Sequence, residues 1–353
     1  MNNSLKTFAG RPDLAGLNYS GLQLFFEGIK EKRYRATQVM KWIHQKLATS
    51  FSQMTDLPKT LRASLEYRAQ IATPRVAAVA TAIDGTKKFV MAMHDGMCVE
   101  TVLIPNEGYD TICVSTQVGC AMGCRICRTA KLGFRRNLSA GEIVGQLNEI
   151  RRLEPNSNIT NVVFMGMGEP LANFDNTVAA VEIMTHPLGP QISWRRLTVS
   201  TAGLPDEILR LGRCARVKLA VSLNATTNEQ RSIIMPINRK HSLDEIISAL
   251  ENFPLPRGMR ITIEYVLIDE FNDSDSDARR LVRLLSRVKA KVNLIPFNQE
   301  HSEKYRSPKP QRVAAFQEIL LSKSLTAIVR KSRGRDILAA CGQLAGTARD
   351  VVI

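Results

Sequence analysis

Cys120-Ala-Met-Gly-Cys124-Arg-Ile-Cys127 sets three cysteines at x3 and x2 spacing within eight residues, with Gly119 before the stretch and Gly123 inside it. Thiolates are soft ligands that suit zinc or iron–sulfur clusters. A structural zinc wants four protein ligands, and no fourth cysteine or histidine follows closely here. Three thiolates fit a 4Fe–4S cluster with one iron left open, and an open iron can hold something reactive. A zinc site, or chance spacing, is the alternative for these eight residues taken alone.

The flanks of this loop alternate between strand-like and helix-like runs. Residues 111–117 are a strand candidate leading into it, and Ser139-Ala-Gly-Glu142 is a capping box that opens a helix to about residue 153. Further strands are expected at 161–165, 196–200, 217–223, 260–268 and 291–296, with helical runs at 176–184, 204–211, 242–252, 277–288 and 312–323. Six such β–α repeats predict an α/β fold, a parallel, TIM-like (βα)6 barrel that is either closed or partial. Such barrels carry functional residues at the carboxyl ends of their strands. The glycine-rich and polar segments fall there: 119–133, 166–170, 200–203, 222–225 and Asn298.

Upstream, the pattern differs. Residues 76–83, 88–93 and 98–104 are apolar runs separated by Asp84-Gly85 and Asp95-Gly96, which predict a three-stranded meander. Before it, Leu22, Phe25, Phe26 and Ile29 recur at helical spacing, as do Val39, Met40, Ile43 and Leu47, and a third helix is expected over 59–69. The resulting division is a small helical accessory domain over 1–74, a β-meander extension over 75–105, and a core over 106–353.

The chain has 353 residues and a net charge of +15, which favours a polyanionic partner, nucleic acid first and a membrane surface second. The basic helices of the accessory domain could touch RNA backbone, although charged helix faces are also simply solvated. No apolar run is long enough for a membrane span, the N-terminus lacks a secretory pattern, and seven cysteines do not make a disulfide framework. The compartment expected is the cytoplasm, with no membrane association. Cys98 and Cys214 match no motif and are read as core residues.

The cysteine spacing is that of radical S-adenosylmethionine (SAM) enzymes. The chain resembles one family of them in particular, the RlmN-type dual-specificity adenosine methyltransferases of ribosomal and transfer RNA. The matching segments are Val99-Glu-Thr-Val-Leu-Ile-Pro105, Cys113-Val-Ser-Thr-Gln-Val-Gly-Cys120, Gly133-Phe-Arg-Arg-Asn-Leu138, Gly166-Met-Gly-Glu-Pro170, Ser200-Thr-Ala-Gly203 and Cys341-Gly-Gln-Leu-Ala-Gly346. Tyr34-Arg-Ala, Trp42 and Met54-Thr-Asp-Leu-Pro58 have the family's character too.

The resemblance implies a 4Fe–4S cluster on Cys120, Cys124 and Cys127, and two SAM molecules per turnover. SAM would be contacted by Gly168, Glu169, Ser200, Ser222, Leu223, Asn224 and Asn298. It further implies that Cys341 takes a methyl group from one SAM as a thiolate. Reductive cleavage of the second SAM activates that methyl, which adds to carbon 2 of an adenine in 23S rRNA or tRNA. Cys113 or Glu100 removes the ring proton, and Cys113 closes a transient disulfide with Cys341. A reducing protein such as a flavodoxin would supply electrons, and a monomer is expected.

Arg125, Arg128, Lys131, Arg135 and Arg136, with Lys323, Arg330, Lys331, Arg333 and Arg335, would bring positive charge to the rim of such a site. Ile126 stands where radical SAM loops usually carry an aromatic, and Arg128 where relatives tend to have a small residue. One rival is a Cfr-type enzyme that methylates carbon 8 with the same cysteines. Another is a non-enzymatic RNA-binding protein whose cysteines hold metal structurally; it would have no use for Cys113 and Cys341.

Overall fold

The computed structural model describes the backbone of residues 7–8 and residues 10–298 and 304–345 in full. Gly346, the last residue of the C-terminal motif, and the rest of the core's expected span to 353 lie outside them. One ten-stranded sheet runs through the molecule: β1 (Arg75–Thr81), β2 (Lys87–Ala92), β3 (Cys98–Asn106), β4 (Tyr109–Cys113), β5 (Ile159–Phe164), β6 (Leu197–Thr201), β7 (Lys218–Ser222), β8 (Ile261–Leu267), β9 (Ala290–Pro296) and β10 (Ala327–Val329).

Spatial order follows chain order from β1 to β10. The first four strands pair antiparallel, as the two Asp-Gly turns predict. From β4 onward every pairing is parallel. Each parallel step needs a crossover, and the helices supply it: Ala140–Leu153, Phe174–Thr185, Pro205–Cys214, Leu243–Glu251, Asp275–Leu284 and Pro310–Ser322 fall between successive strands. The sheet stays open, with β1 and β10 at its edges. This is the partial form of the barrel expected, with the meander joined edge to edge onto it through the β3–β4 pairing of Val102 with Cys113.

Two expectations shift. The strand predicted over 111–117 ends at Cys113, and Gln117–Gly119 pairs instead with Phe134–Asn137 in a separate ribbon at the root of the cysteine loop. Gly119 permits this: it has φ +73°, and a Cβ there would sit 1.7 Å from the Gly133 carbonyl oxygen. A seventh parallel strand, β10, is only three residues long and leaves almost no periodic signal.

The accessory helices Tyr19–Gly28, Arg35–His44 and Lys59–Arg68 bury Leu22, Phe26, Val39, Met40, Ile43, Leu61 and Leu65 in a core continuous with that of the sheet. They join it at the helix Ala140–Leu153, where Asn148 bonds the His44 ring at 3.0 Å and Arg151 donates to the His44 carbonyl at 2.9 Å. Among the described residues no helix is long and apolar enough to cross a membrane. Cys98 is half-buried at the start of β3, and Cys214 is exposed at a helix terminus rather than in the core, because the run that holds it is helical and its helix ends there.

Candidate active site

A cavity opens at the carboxyl ends of β5 to β9. Cys120, Cys124 and Cys127 line it, together with Gly166, Gly168 and Glu169 after β5, Ser200 in β6, Ser222 and Asn224 at β7, Asn298 after β9, and Cys341. Segments up to about 220 residues apart in sequence thus meet because parallel strands all end on one side.

The loop that carries the three cysteines is pinned by backbone bonds. Cys120 N–H donates to Gly133 O at 3.2 Å, Cys127 N–H to Cys124 O at 3.2 Å, and Arg125 N–H to Ile234 O at 2.8 Å. Burial pushes the Cys120 thiol up to about 12 and raises Cys124 as well, and neighbouring thiols add to both shifts. Uncompensated thiolates are therefore disfavoured here, and a cation is what would hold them ionised. No three His, Cys, Asp or Glu side chains among the described residues close around a single metal ion. Three soft thiols that line one cavity and feel one another fit a cluster held by thiolates at three corners.

Glu169 is buried, and its carboxylate accepts Ala202 N–H at 2.7 Å and Leu171 N–H at 3.0 Å. Burial lifts its pKa to about 7 despite those two bonds. Beside it Gly168 has φ +100°, and a Cβ would lie 2.5 Å from Gln117 Cβ. Backbone packing this close is open only to glycine. Ser222 and Asn224 line the cavity, while Leu223, the first residue past β7, is fully buried in the core. Asn224 has φ +59°, and its Oδ1 accepts Val266 N–H at 2.9 Å, which ties the end of β7 to β8.

Cys113 and Glu100 do not line the cavity. Cys113, the last residue of β4, is buried; desolvation raises its thiol, and Cys341 adds to the shift. Cys341 is an exposed residue, and its thiol is crowded by the cavity wall: desolvation there and Glu264 raise it, against a lowering from Arg330. Glu100 is fully buried in β3, 3.2 Å from the Lys88 ammonium, and accepts Ala345 N–H at 2.7 Å. The C-terminal segment also rests on the cysteine loop: Arg128 N–H donates to Gly342 O at 2.7 Å, and Thr129 Oγ1 to Leu344 O at 2.7 Å.

Sequence reasoning missed Glu264, which lines the cavity from β8 and accepts a bond from Asn293 at 2.9 Å. Its signal was present, an ionisable residue inside the apolar run Ile261-Thr-Ile-Glu-Tyr265. Met122, Met235 and Phe297 were missed as well; with Ile126 they form the cavity's apolar side, so the loop isoleucine does make apolar contact. Of the basic residues expected at the rim, Arg125, Arg128 and Lys131 line the cavity. Arg136 instead is paired to Asp95 and bidentately to Glu142.

Residues 12–71 match the ribosomal RNA large subunit methyltransferase N-terminal domain, and residues 114–282 match the radical SAM superfamily. A dual-specificity RNA methyltransferase RlmN from Geobacter sulfurreducens is 52% identical over 334 residues, 95% of this chain and 92% of that one. Its counterpart from Pelobacter propionicus is 50% identical, over 95% of this chain and 96% of that one. The crystal structure of a radical SAM methyltransferase from Sphaerobacter thermophilus superposes with a TM-score of 0.89 at 42% identity, covering 95% of this chain and 99% of that one. On this evidence the chain belongs to the RlmN family of radical SAM RNA methyltransferases.

Proposed function

We propose that this protein methylates carbon 2 of adenosine in 23S rRNA and in tRNA, with Cys341 as the methyl carrier. A radical SAM protein binds a 4Fe–4S cluster and SAM, which when bound supply the one-electron cleavage of SAM. Cys120, Cys124 and Cys127 would hold the cluster. Glu169 and Gly168 would receive the SAM ammonium, and Ser200, Ser222, Leu223, Asn224 and Asn298 the rest of that molecule. Leu223 would act through its backbone, its side chain being in the core.

The observation that carries this reading is that Cys341 lines the same cavity as the three clustered cysteines and is near enough to buried Cys113 to contribute to the raising of its thiol. A purely structural metal site has no need of that pair. Cys341 takes the methyl on its sulfur and presents it to the adenine. Once that carbon has lost a hydrogen and bonded to the ring, Cys113 or Glu100 accepts the ring proton. The Cys113 sulfur bonds to the Cys341 sulfur as the bond from Cys341 to the transferred carbon breaks, that carbon taking up a proton to become the product methyl. The relatives named dual-specificity RNA methyltransferases and the ribosomal RNA methyltransferase N-terminal domain support RNA as the substrate, and carbon 2 with both RNA classes follows from the family resemblance. Residues 1–74 would contact RNA as an accessory domain, 75–105 would extend the sheet, and 106–353 would do the chemistry. A flavodoxin-like reducing protein, a monomeric state and a cytoplasmic location complete the proposal.

The test is nucleoside mass analysis of unmodified ribosomal and transfer RNA incubated with reconstituted protein, SAM and a reductant, beside Cys341→Ala. The expected result is 2-methyladenosine in both RNAs and none with the variant. Finding 8-methyladenosine would overturn the carbon assigned, and no methylated adenosine from an iron-loaded, SAM-cleaving protein would overturn the substrate.

A further inference from the structure

The segment that carries Cys341 is anchored at its root by the first turn of the meander, about 250 residues earlier in the chain. Gly334 N–H donates to Asp84 Oδ2 at 3.1 Å, and Ile83 N–H donates to Asp336 Oδ2 at 3.0 Å. The two bonds run in opposite directions, so each element supplies a carboxylate to the other's backbone. The Arg333 guanidinium lies 3.9 Å from the same Asp84 oxygen. Asp84 is itself held in place, because its Oδ1 accepts Thr86 N–H at 3.0 Å within the turn.

Rigidity passes from this anchor to the cysteine in two short steps. Gly334 has φ +61°, and a Cβ on it would meet both Thr86 and Ala339 at 2.9 Å, so the segment is pressed against the turn. The Gly334 carbonyl accepts Ala339 N–H at 2.8 Å and closes a loop that ends two residues before Cys341. Immediately after, Ala340 N–H donates to Gln343 Oε1 at 3.1 Å, and Gln343 N–H returns to Ala340 O at 3.0 Å. Cys341 thus sits in a tight turn between the Asp84 anchor on one side and the Glu100–Ala345 bond on the other. Both anchors belong to the meander.

We propose that Asp84, with Asp336, is a positioning residue for Cys341: the reciprocal carboxylate–backbone bonds to the meander turn hold the carrier thiol in register with the cavity. This rests on the reading of Cys341 as the methyl carrier. A carrier must meet SAM and then the adenine at bonding distance, and small misplacements of a reacting group cost rate far more than binding. Both carboxylates are on exposed residues, so removing them leaves the core intact.

The experiment compares Asp84→Ala and Asp336→Ala with the unaltered holoenzyme. It reads iron content, RNA methylation kinetics, and hydrogen exchange of the peptide spanning 339–345. The expected result is full iron loading, an unchanged KM for RNA, kcat reduced by about tenfold to about a hundredfold, and faster exchange in that peptide. Unchanged kcat in both variants would overturn the proposal. So would loss of folding or of iron, because the carboxylates would then serve the fold rather than the cysteine. If Cys341→Ala still methylates RNA, the functional reading fails, and the exchange measurement alone decides whether the clamp exists.

Discussion

Glu100, in the middle of β3, and Ala345, 245 residues later, are joined by a 2.7 Å hydrogen bond, and the other oxygen of that carboxylate faces the buried Lys88 ammonium at 3.2 Å. Lys88 is 1% exposed and Glu100 is not exposed at all, so neither charge has water to fall back on. Removing one partner of a buried pair costs about 3–5 kcal/mol, far more than removing both. Lys88→Met is expected to lower stability by that order, and adding Glu100→Gln to it should restore much of the loss. Chemical denaturation of the three proteins measures this. An unchanged midpoint for Lys88→Met would mean that the ion pair does not hold Glu100.

His44 gives a pH prediction. It is fully buried between the accessory helices and the core, and desolvation together with Arg151 lowers its pKa from 6.5 to about 3. The unfolded chain therefore binds a proton below about 6.5 that the folded chain refuses until about 3. Its contribution to stability is complete above the upper value and drains away as pH falls through that window, by about 1.4 kcal/mol per pH unit. In His44→Leu the slope of stability against pH should flatten between those values. An identical slope in the variant would assign the acid sensitivity to other groups.

Gly168→Ala tests the cradle beside Glu169. Its φ of +100° and the 2.5 Å approach to Gln117 leave no room for a methyl group. Backbone strain and overpacking together predict a loss of about 2–6 kcal/mol in unfolding free energy. SAM affinity, measured by calorimetry on whatever fraction folds, should fall with it. A variant as stable as the parent would show that the loop can shift aside.

Cys124→Ser should leave the chain folded and colourless after anaerobic reconstitution, where the parent takes up about four irons. The wavelength scan and iron assay are read together, and retention of a full cluster by the variant would count against the three-thiolate site.

The element pattern was legible wherever a run was long and bounded by strong signals. Two Asp-Gly turns identified the meander, and the Ser139 and Glu142 capping box is formed as read. The strand expected to run to Gln117 stops at Cys113, since the Ser115 backbone is claimed by the Gln146 side chain, Thr116 and Gln117 donate to the Met167 carbonyl, and Gln117 opens the small ribbon. Such tertiary competition leaves no mark on periodicity. Ten of the site residues named from sequence line one cavity, because strand ends were correctly located. Leu223, the first residue past the end of its strand, turns its side chain into the core. Cys113 and Glu100 lie behind the wall rather than in it; their depth depends on how the meander docks, which spacing does not encode. Arg136 looked free in the sequence and is committed to Glu142.

The agreement between chain order and strand order across the sheet also bears on how the protein is made. Each new strand emerging during synthesis finds its partner already in place as the current edge, so the sheet can grow one strand at a time with little searching. The last described segment breaks that rule and returns to the oldest strands, at Asp84 and Glu100. A nascent chain would therefore have its cysteine loop formed well before Cys341 arrives, and the chemically dangerous combination of the two is assembled as a late event.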